Sequence, residues 1–562
     1  MNKLSFQPAE VVDNSTIDGK VICGYQGWFG TPEDGYAERG WMHWGGKTPG
    51  FDEDGKQKHS FELYPDLYEY NQEELTDTRF EPLNDGRKAQ LFSSYFDNTI
   101  DLHFSWMKQY NIHGVALQRF LGEATGRRSH HFHHVAKNVK TASEKYGRIF
   151  YICYDLSGYR QDNFVEVIKK DWNEVICNEL KIPESTQYLH QNGKPIVQLW
   201  GMGVGGNFRR TAEESLEIIK FFKDSGYYVI GGTPTNWRLD ALDSIPGFRD
   251  VYAAYDMVSP WTVGRFRTSE KAVEHFNTKV TTDMTFCKHI SNQDYMPVIY
   301  SGFAWSLWNG GTPNMIPRLQ GELLKTQMNE ILKNDVKCVY IAMFDEYDEG
   351  TAIMKAAADS SEIPKNTYFL TLSADGTYIS NDYYLRLTGT FSKIFNEKNI
   401  ELTLNIPFSV GPRWYRSGFE IGMDPIPQEI SENDVNISVK ADDNAHSGKF
   451  VFEITGENSK KIEKAIHAVN VPVSATTELS YFINPKYVNN DVLVDCVFSD
   501  KTLLSDLPNY EKPMPKLNEW SKISVNLGKI ALNKTIEKLI LSFNGTSEKI
   551  DVKIDDLWLE DK

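Results

Sequence analysis

The sequence has no apolar window approaching the roughly 18 residues a membrane-spanning helix needs, so no transmembrane segment is expected. It has no CxxC or Cys/His pairing. The six cysteines (Cys23, Cys153, Cys177, Cys287, Cys338 and Cys496) are scattered, and Cys23, Cys153 and Cys338 lie in apolar, strand-like runs. These read as buried thiols, neither a zinc site nor a disulfide framework, and no metal or other cofactor is expected. An excess of basic residues is also missing. The net charge is −17, which argues against nucleic acid and against an anionic membrane surface as partners. The opening residues, MNKLSFQPAEVVDNST, contain no apolar signal-peptide core. Export to the periplasm or cell surface is expected nonetheless, with the signal segment removed ahead of this chain. No low-complexity tract and no solenoid period occurs. The glycine-rich run GMGVGGN at 201–207 lacks the dinucleotide and Walker spacings and reads as a flexible loop.

What is present is a chain of 562 residues, long enough for two domains, and the chain is expected to be monomeric. Aromatic residues make up 13%, with 13 Trp and 28 Tyr, a composition suited both to packed cores and to the apolar faces of sugar rings. Eight short apolar runs recur: 21–29, 113–120, 148–156, 195–203, 227–234, 251–259, 296–305 and 338–347. Segments of helical spacing separate them. In RLQGELLKTQMNEILKND, for example, Leu319, Leu323, Leu324, Met328 and Ile331 form one stripe. Eight such units predict a (β/α)8 TIM barrel, closed by a helix over 381–395. After 396 the texture changes to short, partly alternating runs divided by turn residues. That predicts an all-β sandwich of jelly-roll type over 396–562, like a carbohydrate-binding module, after a barrel over 1–395.

In a barrel the site is built at the carboxyl ends of the strands. Those ends carry Tyr25, Gln26 and Trp28; Gln118 and Arg119; Tyr154 and Asp155; Gln198 and Trp200; Asp256 and Trp261; and Trp305. Strand eight ends in DEYDEG, with Asp345, Glu346, Asp348 and Glu349. Four carboxyls crowded beside a buried strand raise one another's pKa. Glycoside hydrolysis needs one carboxyl kept protonated beside another kept ionised. A solvated acidic loop is the plainer alternative, and the strand-end position favours the catalytic one. The histidines His130, His131, His133 and His134 lack the acidic third ligand of a metal motif and read as a helix start.

These residues resemble the glycoside hydrolase family 71/99-like proteins, related to the family 99 endo-α-mannosidases and endo-α-mannanases, over roughly residues 15–395. GYQGWFGTPEDG followed by GWMHWGG is similar to the family's Tyr-x-x-Trp opening and later His-Trp. That similarity implies a substrate-lining role for Tyr25, Trp28, His43 and Trp44. FDEYDEGTAI is similar to the family pattern Asn-Glu-aromatic-x-Glu-Gly-Thr, which falls on Glu346 and Glu349, with Asp345 and Tyr347 flanking. The resemblance implies retention of configuration. Glu346 would take a proton from the substrate's own 2-hydroxyl, and Glu349 would protonate the leaving oxygen and later activate water. Asp155 stands where the family has Glu and inherits a sugar-hydroxyl contact. Asp345 stands for Asn, Tyr347 for Trp, and Gln118 and Arg119 replace an aromatic strand end. Laid on family 71, the fungal α-1,3-glucanases, the segment selects the same two carboxyls but implies inversion. The expected function is hydrolysis of an α-linked oligo- or polysaccharide such as α-mannan, with a glycan-binding protein lacking activity as the other class.

Overall fold

A computed structural model describes residues 11–35, 40–205, 210–397, 403–432, 435–458, 462–487, 492–543 and 546–562. Positions 1–10, four residues of the loop after strand four (206–209) and the junction at 398–402 lie outside the described residues. The chain divides into two compact units, and neither is one contiguous stretch.

The first unit comprises Met1–Arg79, Gln90–Lys355 and Tyr384–Ile406. Its core is a parallel sheet of strands β1 (Val21–Tyr25), β2 (Gly114–Phe120), β3 (Ile149–Asp155), β4 (Lys194–Trp200), β5 (Tyr228–Thr233), β6 (Met257–Pro260), β7 (Asp294–Tyr295 and Val298–Tyr300) and β8 (Val339–Ala342). Each strand pairs with the next, and β8 pairs with β1 through Val21–Val339, Ile22–Tyr340 and Cys23–Ile341. The ring closes at β7, which changes partner midway. Asp294 and Tyr295 pair with β6, and Val298–Tyr300 pair with β8. Pro297, which has no N–H to give, sits at the change and accepts from the Tyr340 N–H at 3.0 Å. The sheet is thus a TIM-like barrel. β1 and β3 are buried at every position, as strands with covered faces must be.

Between the strands lie helices α1 (Asp97–Gln109), α2 (Ser129–Tyr146), α3 (Phe164–Lys170, prolonged as a π-helix over Asp171–Glu179), α4 (Ala212–Asp224), α5 (Arg249–Ala254), α6 (Ser269–His275), α7 (Glu322–Lys333) and α8 (Tyr383–Glu397). Local chemistry sets their ends. Thr211 and Glu214 form a reciprocal capping box at the start of α4, and Gly147 takes the left-handed turn (φ 63°) that ends α2. In α7, Leu323, Leu324, Met328 and Ile331 are buried as the stripe predicts. Leu319 precedes the helix in a 3-10 turn. The run at 251–259 is not all strand: 251–254 belong to α5, and only 257–260 enter the sheet. A short apolar run fits either element, and length alone does not arbitrate.

The second unit comprises Phe80–Ala89, Ala356–Tyr383 and Pro407–Lys562. It holds two antiparallel sheets built from β9 (Arg413–Ser417), β10 (Ile430–Glu432), β11 (Val435–Ala441), β12 (Phe450–Asn458), β13 (Ile462–Pro472), β14 (Thr477–Pro485), β15 (Val492–Phe498), β16 (Ser521–Asn526), β17 (Thr535–Phe543) and β18 (Thr546–Asp561). The larger sheet runs β10-β11-β12-β18-β14-β16, with β9 also on β18, and the smaller runs β13-β17-β15. Their inward residues, among them Ile437, Ile454, Leu479, Val494, Leu541 and Leu557, form one core. Ala358 and Tyr378 belong to that core although they precede the strands in sequence by dozens of residues. The break expected at 396 falls inside α8, and the second unit takes two segments from within the barrel's stretch of sequence.

A chain ending at residue 395 would carry Ala358 and Tyr378 without the strands they pack on. Such a fragment should bind a hydrophobic dye and melt at lower temperature than the whole chain. A fragment with a full-height cooperative transition and no dye binding would contradict this assignment.

Candidate active site

Strand β8 emerges from the core at Ala342, and the chain then turns across the barrel mouth. Asp345 is fully buried and accepts hydrogen bonds from the backbone N–H groups of Gln26 (2.7 Å) and Gly27 (2.9 Å). It therefore ties the loop after β1 to the end of β8. Gly27 has φ 59°, and a β-carbon there would meet the Val135 side chain at 2.8 Å, so the close approach of this loop to α2 needs glycine. The tie delivers the Gln26 side chain to Glu346: Nε2 donates to Oε1 at 2.5 Å, and the Thr351 hydroxyl donates to Oε2 at 2.6 Å. Thr351 reaches back because its N–H and that of Ala352 both bond the Glu346 carbonyl, folding 346–352 into a tight loop.

Glu349 faces the same cavity as Glu346. Burial pushes its carboxyl up to about 7, with the Asp348 charge adding to the rise and His43 opposing it. Burial also raises Glu346 well above the usual carboxylate range, helped by Glu349 and Asp348 and opposed by its two donors. Two carboxyls so coupled titrate as a pair. Asp155, at the end of β3, is pushed up to about 6 by burial, while the Ser157 amide bonded at 2.6 Å pulls it down.

His43 completes the wall. It holds a left-handed conformation (φ 59°), stacks on Trp28 at 3.7 Å and 7°, and bonds Asp348 through Nδ1 at 3.0 Å. Burial alone would lower its pKa; Asp348 and Glu123 beside it hold it above the ordinary value. Strained residues of this kind gather at functional sites. The cavity has a volume of about 670 Å³, and its walls carry Trp28, His43, Gln118, Asp155, Trp200, Trp261, Glu346 and Glu349 together with Gln26, Phe120, Glu123, Trp308 and Tyr340. The indole N–H groups of Trp28 and Trp200 are buried with no partner among the described residues, so donors are available to a ligand there.

Nine of the residues singled out in the sequence, Gln26 among them, thus meet in one cavity, and the other ten do not line it. Asp256 precedes β6 and accepts from the Val229 N–H at the start of β5, so it lies at the amino ends of the strands, away from the mouth. Arg119 and Tyr154 point outward from their strands. Both bind Asp171 of α3, Arg119 by a two-point buried ion pair of 2.6 and 2.5 Å, Tyr154 at 2.5 Å. Tyr25 bonds His103 at 2.8 Å, Trp44 donates to the Phe92 carbonyl at 3.0 Å, and Tyr347 donates to the Lys355 carbonyl at 2.6 Å. Trp305 packs on Phe303, and Asp345 acts through its backbone bonds. Tyr340 was legible but missed: it stands two residues before Ala342 on the inward face of β8, where its hydroxyl receives a 2.8 Å bond from Gln118. Trp308, 44% exposed at the rim, and Glu123, on a four-residue helical turn after β2, had no sequence signal. His131 bonds the Gly27 carbonyl at 2.7 Å and His134 bonds Asp97 at 2.9 Å. Among the described residues no cluster of three His, Cys, Asp or Glu is placed to hold a metal ion, and no helix is long and apolar enough to cross a membrane.

No family model matches the sequence, and no curated protein matches it. Solved structures do. The chain is similar to the GH99 endo-α-mannosidase from Bacteroides thetaiotaomicron at 15% identity, covering 68% of this chain and 99% of that one with a TM-score of 0.48. A glycoside hydrolase-like protein matches at 14% identity, over 62% of this chain and 98% of that one, with a TM-score of 0.39. The CBM22 xylan-binding domain from Paenibacillus barcinonensis matches 26% of this chain and 91% of its own at 14% identity, with a TM-score of 0.18.

The outward placement of Arg119 yields a test. Arg119→Met strands the buried Asp171 carboxylate and should cost about 3–5 kcal/mol in denaturant unfolding. Turnover of the folded fraction should stay within about twofold. A large loss of turnover at unchanged stability would return Arg119 to the substrate site.

Proposed function

We propose that the protein is a glycoside hydrolase of an α-linked glycan, endo-acting and retaining, of the α-mannanase type. The observation that carries this reading is the buried carboxyl pair Glu346 and Glu349 in one aromatic-lined cavity, both raised by burial above the ordinary carboxylate range. The two members differ in surroundings. Glu346 receives two hydrogen bonds that favour its charged form, from Gln26 and Thr351. Glu349 faces Asp348 and Asp155, whose charges favour its protonated form. On these hydrogen bonds this reading takes Glu346 as the base and Glu349 as the acid, with burial raising both. In the retaining course, Glu346 takes the proton of the sugar's 2-hydroxyl as that oxygen attacks the anomeric carbon. Glu349 gives its proton to the departing glycosidic oxygen. Water then opens the epoxide-like sugar with the two carboxyls reversing their roles. Trp28, Trp200 and Trp261 offer faces and N–H groups to the sugar rings, and Asp155 a hydroxyl contact. The same reading takes α-mannan as the substrate, the second unit as a jelly roll and the protein as a monomer.

Glu346→Gln and Glu349→Gln should each lower turnover at least about a hundredfold. Two near-wild-type variants would remove the carboxyl mechanism, and zero activity in the parent with intact binding would leave a glycan-binding protein. The pH dependence has a definite sign. The acid must be protonated, so kcat should fall as pH rises through about 7. An unfolded glutamate ionises near 4.3. The fold therefore holds this proton more tightly than the unfolded chain and loses stability between about pH 4.5 and 7. Glu349→Gln removes that loss, so its melting temperature should gain on the parent's between pH 5 and pH 8.

The stereochemistry separates the two carboxyl mechanisms. A substrate lacking its 2-hydroxyl at the cleaved sugar should bind and stay intact. Proton NMR of the first product should show the retained anomer. An inverted product would replace this reading with an inverting α-glucanase-like one.

A further inference from the structure

The second unit contains a cleft that the hydrolytic reading does not use. It has a volume of about 440 Å³, within the range of about 300–1,000 Å³ that small-molecule sites occupy. Its floor is the outer face of the larger sheet. Along β18, Leu557 and Leu559 point into the core, so Trp558 between them points out; on β14, Phe482 lies likewise between the buried Tyr481 and Ile483. Ser480, opposite Trp558 on β14, leaves room above the sheet.

Both walls are fixed. One is the loop at 442–449. Glu420 accepts the N–H groups of Lys449 (2.7 Å) and Phe450 (3.0 Å), Asp555 accepts that of Ser447 (3.0 Å), and Trp520 donates to the Asn444 carbonyl (2.8 Å). Gly448 makes the first of these possible, since a β-carbon there would meet the Glu420 carboxylate at 2.1 Å. The His446 ring, held to Asp556 at 2.6 Å, lies on Phe482 at 3.5 Å and 17°. The other wall is a two-ply strip: Asn84 donates to the Ser360 carbonyl at 2.8 Å, and Asp85 N–H to the Ser361 carbonyl at 2.8 Å. A site whose walls are held this way loses little ordering entropy on binding.

The polar groups are unbalanced toward donors. The Trp558 indole N–H is buried with no partner among the described residues. Asp85 is engaged by Arg87 at 2.8 Å, and Asp556 by His446 and Ser447. Lys365 and Lys522 line the cleft, and neither has an ion-pair partner among the described residues. The ligand must therefore bring acceptors and negative charge, together with an apolar face for the rings. We infer that this cleft binds a short saccharide carrying an anionic group, such as a uronic acid oligomer, with the Trp558 face not covered by Arg416 and the His446 ring that lies on Phe482 against the sugar rings, and Lys365 and Lys522 at the acid. This site is independent of the hydrolytic reading, and its test reads binding alone.

The full chain bearing Glu346→Gln is titrated calorimetrically with trimers of galacturonate, mannuronate and glucuronate, with maltotriose as the neutral control. At least one uronate trimer should bind saturably and more tightly than maltotriose, weakening as salt is raised. Trp558→Phe keeps the ring, removes the donor and should weaken binding about fivefold, the worth of one hydrogen bond. Lys365→Met with Lys522→Met, both at exposed positions, should weaken it about tenfold and flatten the salt dependence. The assignment is overturned if no uronate trimer binds, if maltotriose binds as tightly, or if binding survives both sets of substitutions unchanged.

Discussion

The mouth of the barrel depends on one carboxylate. Asp345 does not line the site's cavity, yet its two bonds to the Gln26 and Gly27 amides fix the first loop to the last strand. Remove them and Gln26 no longer reaches Glu346, Trp28 loses its place, and with it the surface on which His43 stacks. Backbone amides are apt partners here. They cannot rotate away as a side chain can, and a buried carboxylate bonded to two N–H groups keeps part of the solvation it gave up. Burial still pushes Asp345 up to about 7, so the anchor itself sits near its own titration.

The site beyond that anchor is expensive to assemble. Asp155, Asp345, Glu346, Asp348 and Glu349 are all withdrawn from water, and burial raises every one of the five. His43 offsets part of this through Asp348. The remainder is carried by the barrel, whose strands β1 and β3 are buried along their length and hold the loops regardless of what the loops cost. A substrate that displaces water and supplies hydroxyl donors would relieve some of that cost only where it touches the carboxyls.

Much of this was legible in the sequence, and what was not has physical reasons. The barrel strands announce themselves as apolar runs because both faces are covered, and DEYDEG stood out because four acids follow a buried strand. The errors at Arg119 and Tyr154 came from treating a strand end as a cluster when its side chains alternate: with Gln118 inward, Arg119 faces α3. Asp256 was misplaced because α5 occupies half of the run read as strand six. The sandwich strands could be found by alternation, but not the recruitment of 80–89 and 356–383, which depends on contacts far apart in sequence and leaves no local period. Trp308 and Glu123 lie on short turns where pattern carries nothing.

That recruitment bears on how the chain is made. The second unit draws on Phe80–Ala89, yet its central strand β18 ends at Asp561. On a ribosome adding about 5–20 residues per second, those ends emerge roughly half a minute to a minute and a half apart. Phe80–Ala89 waits through the whole of that interval and Tyr378 through its later part, after every barrel strand has been made, with no sheet to enter. All the strands of the first unit are therefore made while segments of the second are still waiting, and the longest wait falls on the segment made first.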